Sequence, residues 1–202
     1  MLKSRHTIFL SFFLGFTLYA LSQHEISKYE YHWAVFHPFA AKKVQKHLIE
    51  AMDVYQEVKN AKQLDDFESG GTLDAFRHSF TMAYLTRFVK VKKLRKLGNA
   101  HEKGNEYYFY KNHQEFRERA DSLACVMDLR NNELGFEIGE KYKKVSKADL
   151  KNVIIEQVKA GNAWILKKND QNKYVSCQNE PILVENYKGK WFLPKCLIKS
   201  NE

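Results

Sequence analysis

Three short stretches of this 202-residue chain gather the side chains that could do chemistry. Asp74-Ala75-Phe76-Arg77-His78 sets a carboxylate, a guanidinium and an imidazole within two helical turns, with Asp74 and His78 four apart and on one face. His101-Glu102 adds a second imidazole–carboxylate pair, and Asp128-Leu129-Arg130-Asn131-Asn132 adds a carboxylate and two amides. Imidazole and carboxylate are ligands for zinc or a similar divalent ion. His78, His101 and Asp128 would supply three of them and leave a position open for water, which a metal makes nucleophilic at neutral pH. Glu102 would then serve as general base. The same residues also suit a metal-free site, in which a His–Asp pair acts as general base on water while Arg77, Asn131 and Asn132 hold an anionic substrate. A third reading is structural: His78 donates to Asp128, Arg77 bridges to Glu102, and the two amides satisfy a helix end. Such networks perturb pKa values as active sites do. No Ser or Cys sits in a recognisable nucleophile elbow.

The elements that must position these groups are mostly helical. Pro38 to about Lys59 carries Phe39, Val44, Leu48, Met52, Tyr55 and Val58 at helical spacing, after an irregular aromatic lead-in over residues 23–36. Residues 60–72 read as a polar linker ending in an N-cap candidate, Thr72. Leu73–Val89 is apolar nearly all round, which marks a buried helix. Buried charges need partners, so Asp74, Arg77 and His78 must meet polar groups from elsewhere. Lys90–Glu102 reads as a basic helix with a break at Gly98, and Glu118 to about Lys143 as a long one. In that long helix Gly135 and Gly139 share the face of Asp128 and Asn132 and would admit a close neighbour. Ser146 caps a further helix stopped by Gly161. Beyond it Ala163–Lys168, Lys173–Cys177, Ile182–Asn186 and Lys190–Leu193 read as short strands. The expectation is a mainly α protein, with a single helical domain over residues 23–161 and a small β-appendage over 162–202.

Asp74–His78, His101-Glu102 and Met127-Asp128-x-x-Asn131-Asn132-x-x-Gly135, in that order, resemble the signature of an uncharacterised family of exported bacterial domains. Members also stand at the C-termini of larger secreted or toxin-like chains. The resemblance covers residues 37–161 and implies which residues matter, but the family carries no established activity. Its members often have Trp at the position of Thr81 and Arg at that of Phe136, so a site lined there would differ here in wall and charge.

Composition narrows the classes further. With 44% hydrophobic and 28% charged residues, 9 Gly and 3 Pro, the chain is neither collagen-like nor of low complexity. Lys3 and Arg5 precede the uncharged apolar run Ile8–Leu21, and Ala20 and Ser22 form a small-x-small exit; residues 1–22 therefore read as a secretory signal peptide. The formal net charge is +9, or +7 once Lys3 and Arg5 are removed with that segment. Such a balance favours an anionic envelope component as partner; no nucleic-acid motif and no membrane span after cleavage are expected. The basic run Lys90, Lys92, Lys93, Arg95 and Lys96 suits a lipid headgroup or polymer, or a solvated helix face. Cys177 and Cys196 flank a hairpin and are placed to bridge in an oxidising compartment, whereas Cys125 reads as a buried small hydrophobe. The expected function is an exported hydrolase of an envelope phosphoester, lipid or wall bond. The alternative is a non-catalytic envelope-associated module with a structural polar cluster.

Overall fold

A computed structural model describes residues 26–112 and 121–202. The expected signal peptide, and Glu118 as a helix start, lie outside those residues. Six α-helices and a two-stranded antiparallel sheet make up the described chain: α1 Lys28–Phe36, α2 Pro38–Asn60, α3 Thr72–Leu85, α4 Val91–Asn112, α5 Ser122–Lys141, α6 Lys147–Lys159, β1 Trp164–Leu166 and β2 Leu197–Lys199. No helix among them is long and apolar enough to cross a membrane.

α3 lies at the centre because its sequence leaves it no wet face. Phe76, Phe80 and Tyr84 stack along it at ring separations of 5.3 and 6.0 Å. They pack with Ala51, Val54, Tyr55 and Val58 of α2 and with Leu150, Ile154, Ile155 and Val158 of α6. α5 closes the remaining side. There a Cβ at Gly135 would run into the Ser79 carbonyl, and one at Gly139 into the Ala83 carbonyl, so two backbones touch where any larger residue would hold them apart. This close crossing is what brings the Asp128 turn of α5 to His78 on α3.

Several expected boundaries move. The lead-in over 23–36 is not irregular where described: Ser27 and Glu30 form a reciprocal capping box that starts α1. α3 ends at Leu85, and Thr86–Val89 turn the chain into α4. α4 does not break at Gly98 but runs on through the aromatic stretch, because Gly98 and Gly104 are where Asn132 and Ser27 approach its backbone. The long helix begins at Ser122, with Asp121 as its cap, and its Asn131-Asn132 pair lies mid-helix rather than at a C-cap. Ser146 caps α6 as expected, and Gly161 ends it at φ +82°.

The appendage is sparser than expected. β1 pairs with β2 in the register Ile165↔Ile198, and the expected strand Lys173–Cys177 is reduced to the isolated bridges Lys168↔Tyr174 and Val175↔Pro181. Val184–Tyr187 is a 3₁₀ turn, not a strand, and Lys190–Leu193 is irregular. Leu183 and Val184 are exposed there, so no core rewards extended pairing. A Cys177–Cys196 disulfide ties this segment to the sheet.

Candidate functional site

The N-terminus of α3 is built from a distance. Its N-cap, Gly71, has no side chain to offer; the Asp65 carboxylate instead accepts from the amides of Thr72 (2.6 Å) and Leu73 (3.0 Å). Asp74 is then fixed by the Gly70 amide, which donates to its Oδ2 at 2.8 Å, and by Arg77, whose Nε and Nη2 both donate to its Oδ1, the former at 3.1 Å. One helical turn on, His78 Nε2 stands 3.5 Å from Asp74 Oδ1, 3.3 Å from Asp128 Oδ1 and 3.2 Å from Arg77 Nη2. Asp74 is sealed, while 12% of the His78 side chain and 38% of the Arg77 side chain remain in contact with solvent, so the cluster reaches the surface through its two nitrogen bases.

The electrostatics follow from two anions facing two cations at close range. Burial disfavours the Asp74 anion, but Arg77 and His78 outweigh it and hold the carboxyl well below its usual range. Burial likewise works against a charged His78. The Asp128 and Asp74 carboxylates outweigh both burial and the repulsion of Arg77, and its pKa is raised. Asp128 is pushed upward, first by burial and then by the charges of Asp74 and Glu102. His78 and Asp128 stand 3.3 Å apart, so each feels the other's charge and the two titrate as a coupled pair.

Of the residues singled out by sequence, the structure brings Asp74, Arg77, His78 and Asp128 together. Arg77 pairs with Asp74 and not with Glu102. His101 is engaged by α1 instead and does not join the group: its Nδ1 meets Glu30 Oε1 at 3.0 Å. Glu102 is buried; its Oε2 accepts from Asn105, its Oε1 takes no hydrogen bond, and its charge is felt at Asp128. It lines an open cavity of about 260 Å³ together with Asn99, Lys103, Cys125, Leu129 and Trp191. Burial and Glu102 push the Cys125 thiol far up, which leaves it a poor nucleophile. Asn131 is a clamp on the appendage: it donates to the Trp164 carbonyl and accepts from the Trp164 amide, both at 2.9 Å. Asn132 is buried against Gly98. Phe136 sits in the apolar core with Trp33, Leu85 and Leu94 and so lines no site wall.

A divalent ion would find one group of ligand atoms among the described residues, with Asp74, His78 and Asp128 offering atoms within 4.8 Å of one another. Asp74 thus stands where the sequence suggested His101. Arg77 occupies the approach, on Asp74 Oδ1 and beside His78 Nε2, so a metal would have to displace a guanidinium. Sequence reasoning missed Asp65, Gly70 and Glu30. Only Glu30 had a readable signal, the Ser27-x-x-Glu30 capping box.

The helical domain around this His–Asp cluster can be compared with known proteins. The family described as Domain of unknown function (DUF6973) matches residues 31–162, and the chain belongs to it. No curated protein matches the chain, and no solved structure does.

Proposed function

We propose that the protein is an exported hydrolase whose acid–base pair is His78 and Asp128, acting on an anionic bond of the cell envelope such as a phosphoester. The reading rests on one observation: a part-exposed imidazole wedged between two carboxylates, its partner Asp128 Oδ1 buried without a hydrogen bond. A carboxylate that raises and orients an imidazole makes it a base that takes a proton from water and an acid that returns it to a leaving group. Arg77, held by Asp74 yet more than a third exposed, supports the anionic substrate class, since its remaining donors are free to meet a phosphate or carboxylate. The metal-free form is favoured because Arg77 already neutralises the carboxylate that a metal would need. Export is supported by the sequence of residues 1–22 and is in keeping with the Cys177–Cys196 disulfide.

One observation favours the structural alternative: both carboxylate oxygens of Asp74 are already engaged, Oδ2 by the Gly70 amide and Oδ1 by Arg77. A comparison of His78→Asn with the parent separates the two. Purified protein is assayed on phosphomonoester, phosphodiester and carboxylester chromogens and on isolated envelope fractions. Turnover by the parent that falls by about 10²–10⁴ in the variant, at an unchanged melting temperature, supports the hydrolase. Equal turnover in both, or none in either with a collapsed melting temperature in the variant, overturns it.

A further inference from the structure

A group of exposed apolar residues lies at the corner between α1 and α2. Phe36 is 66% exposed and Phe39 is 85% exposed, with Tyr31 and Val35 open beside them. A large aromatic ring left almost wholly in water gains nothing from the fold. Lys42, Lys43 and Lys46 follow within two turns and are exposed, and no Asp or Glu occurs between Glu30 and Glu50.

A second acid-free stretch meets this one. From Ala75 to His101 the chain has no carboxylate side chain, and it carries the basic run Lys90, Lys92, Lys93, Arg95 and Lys96. α1 and α4 pack antiparallel: Tyr29 touches Tyr107, His101 pairs with Glu30, and the Trp33 indole donates to the Lys93 carbonyl at 3.0 Å. The end of α1 that carries Phe36 therefore lies at the start of α4. Lys43, from α2, reaches the Phe88 carbonyl at 3.3 Å, just before that start. The acid that faces this region from α5 is Glu133, and it is engaged by Arg95 through two 2.6 Å bonds, with Glu140 farther along the same helix. Lys42, Lys46, Lys90, Lys92 and Lys96 remain exposed around the aromatic corner.

We infer that this corner docks on the surface of an anionic phospholipid bilayer, with Phe36 and Phe39 entering the headgroup layer and the lysines pairing with lipid phosphates. Aromatic rings favour that layer, and juxtaposed lysines are drawn to an anionic leaflet. A soluble anionic polymer would use the lysines but leave the rings in water. A second copy across a two-fold axis would set positive charge against positive charge. A lipid surface satisfies both halves of the patch. The inference does not depend on the hydrolase reading, and it gives the basic run of α4 a role.

The test places a reporter in the corner itself. Phe39→Trp is made in the full chain and its emission compared with that of the parent, so that Trp33, Trp164 and Trp191 subtract out. Vesicles of phosphatidylglycerol and phosphatidylcholine should shift the added emission to shorter wavelength, and brominated lipid should quench it; pure phosphatidylcholine should do neither. Adding Lys42→Gln and Lys92→Gln should weaken binding roughly thirtyfold, since each lysine near such a surface contributes about a factor of five. Because the signal comes from position 39, contact elsewhere in the chain does not mimic it. An emission unmoved by phosphatidylglycerol overturns the inference. So does an equal response to neutral vesicles, or a shift that grows with protein concentration in the absence of lipid, which would mark a second copy as the occupant.

Discussion

His78 Nε2 on α3 lies 3.3 Å from Asp128 Oδ1 on α5, and it does so because Gly135 and Gly139, two and three turns further along α5, let the two helix backbones touch. Packing and chemistry are thus one arrangement: whatever separates the helices also separates the acid from the base.

Gly135→Ala should therefore destabilise the fold even though alanine is the better helix former. The new methyl meets the Ser79 carbonyl, which is backbone and has no room to yield. Overpacking of this kind costs about 1–3 kcal/mol and exceeds the gain of about 1 kcal/mol in helix propensity. Urea denaturation checks it, with the exposed Val126→Ala on the same helix expected to move stability by less than about 1 kcal/mol.

Asp65→Ala should cost about 1–2 kcal/mol, as the loss of an N-cap does, because three amides (Phe67, Thr72 and Leu73) lose their acceptor. Hydrogen exchange should rise at Thr72 and Leu73 before it rises elsewhere in α3. Unchanged exchange there would show that another group caps the helix.

Asn131→Ala should loosen the appendage and leave the helices folded. It removes both bonds to the Trp164 backbone and leaves a half-buried amide and carbonyl without partners, at about 1–3 kcal/mol. Limited proteolysis with the disulfide reduced should cut after residue 163 faster in the variant than in the parent.

The pH dependence has two limbs of opposite sign. Glu30 is brought from 4.5 down to about 2: burial would raise it, but the hydrogen bond and charge of His101 and the bonds from Ser27 outweigh burial. Its contribution is present above 4.5 and is lost as pH falls towards 2, so Glu30→Gln should flatten the acid limb of a denaturation profile. His78 and His101 are raised, so theirs is complete below 6.5 and is lost as pH rises through the folded values. Asp128 is raised from 3.8 to about 7, so its contribution is also lost as pH rises, but over that lower window. The urea midpoint should fall from pH 6 to pH 9, and less so in His78→Gln.

Much of this was legible in the sequence. The apolar circumference of Leu73–Leu85 implied a buried helix, and its charges implied partners; Asp128 is one of them. His101 was misassigned because helical spacing says which residues share a face and not which neighbour that face meets. α4 offers His101 to α1, an element hidden in an aromatic lead-in whose capping box was overlooked. Asn131 looked like substrate chemistry because an amide that clamps a distant backbone reads the same in one dimension as one that binds a ligand. Of the expected short strands, Ala163–Lys168 holds β1, whereas Ile182–Asn186 and Lys190–Leu193 fail for want of a core, which residue type alone does not reveal.

The imidazole titration of His78, followed by NMR in the parent and in Asp128→Asn, tests the coupled His78–Asp128 pair most directly. The parent should titrate above 6.5, and the variant should fall by a clearly resolved amount, because the charge that holds the proton is gone. An identical midpoint in the two proteins, or a parent His78 that titrates at or below 6.5, would contradict the pair and the acid–base function built on it.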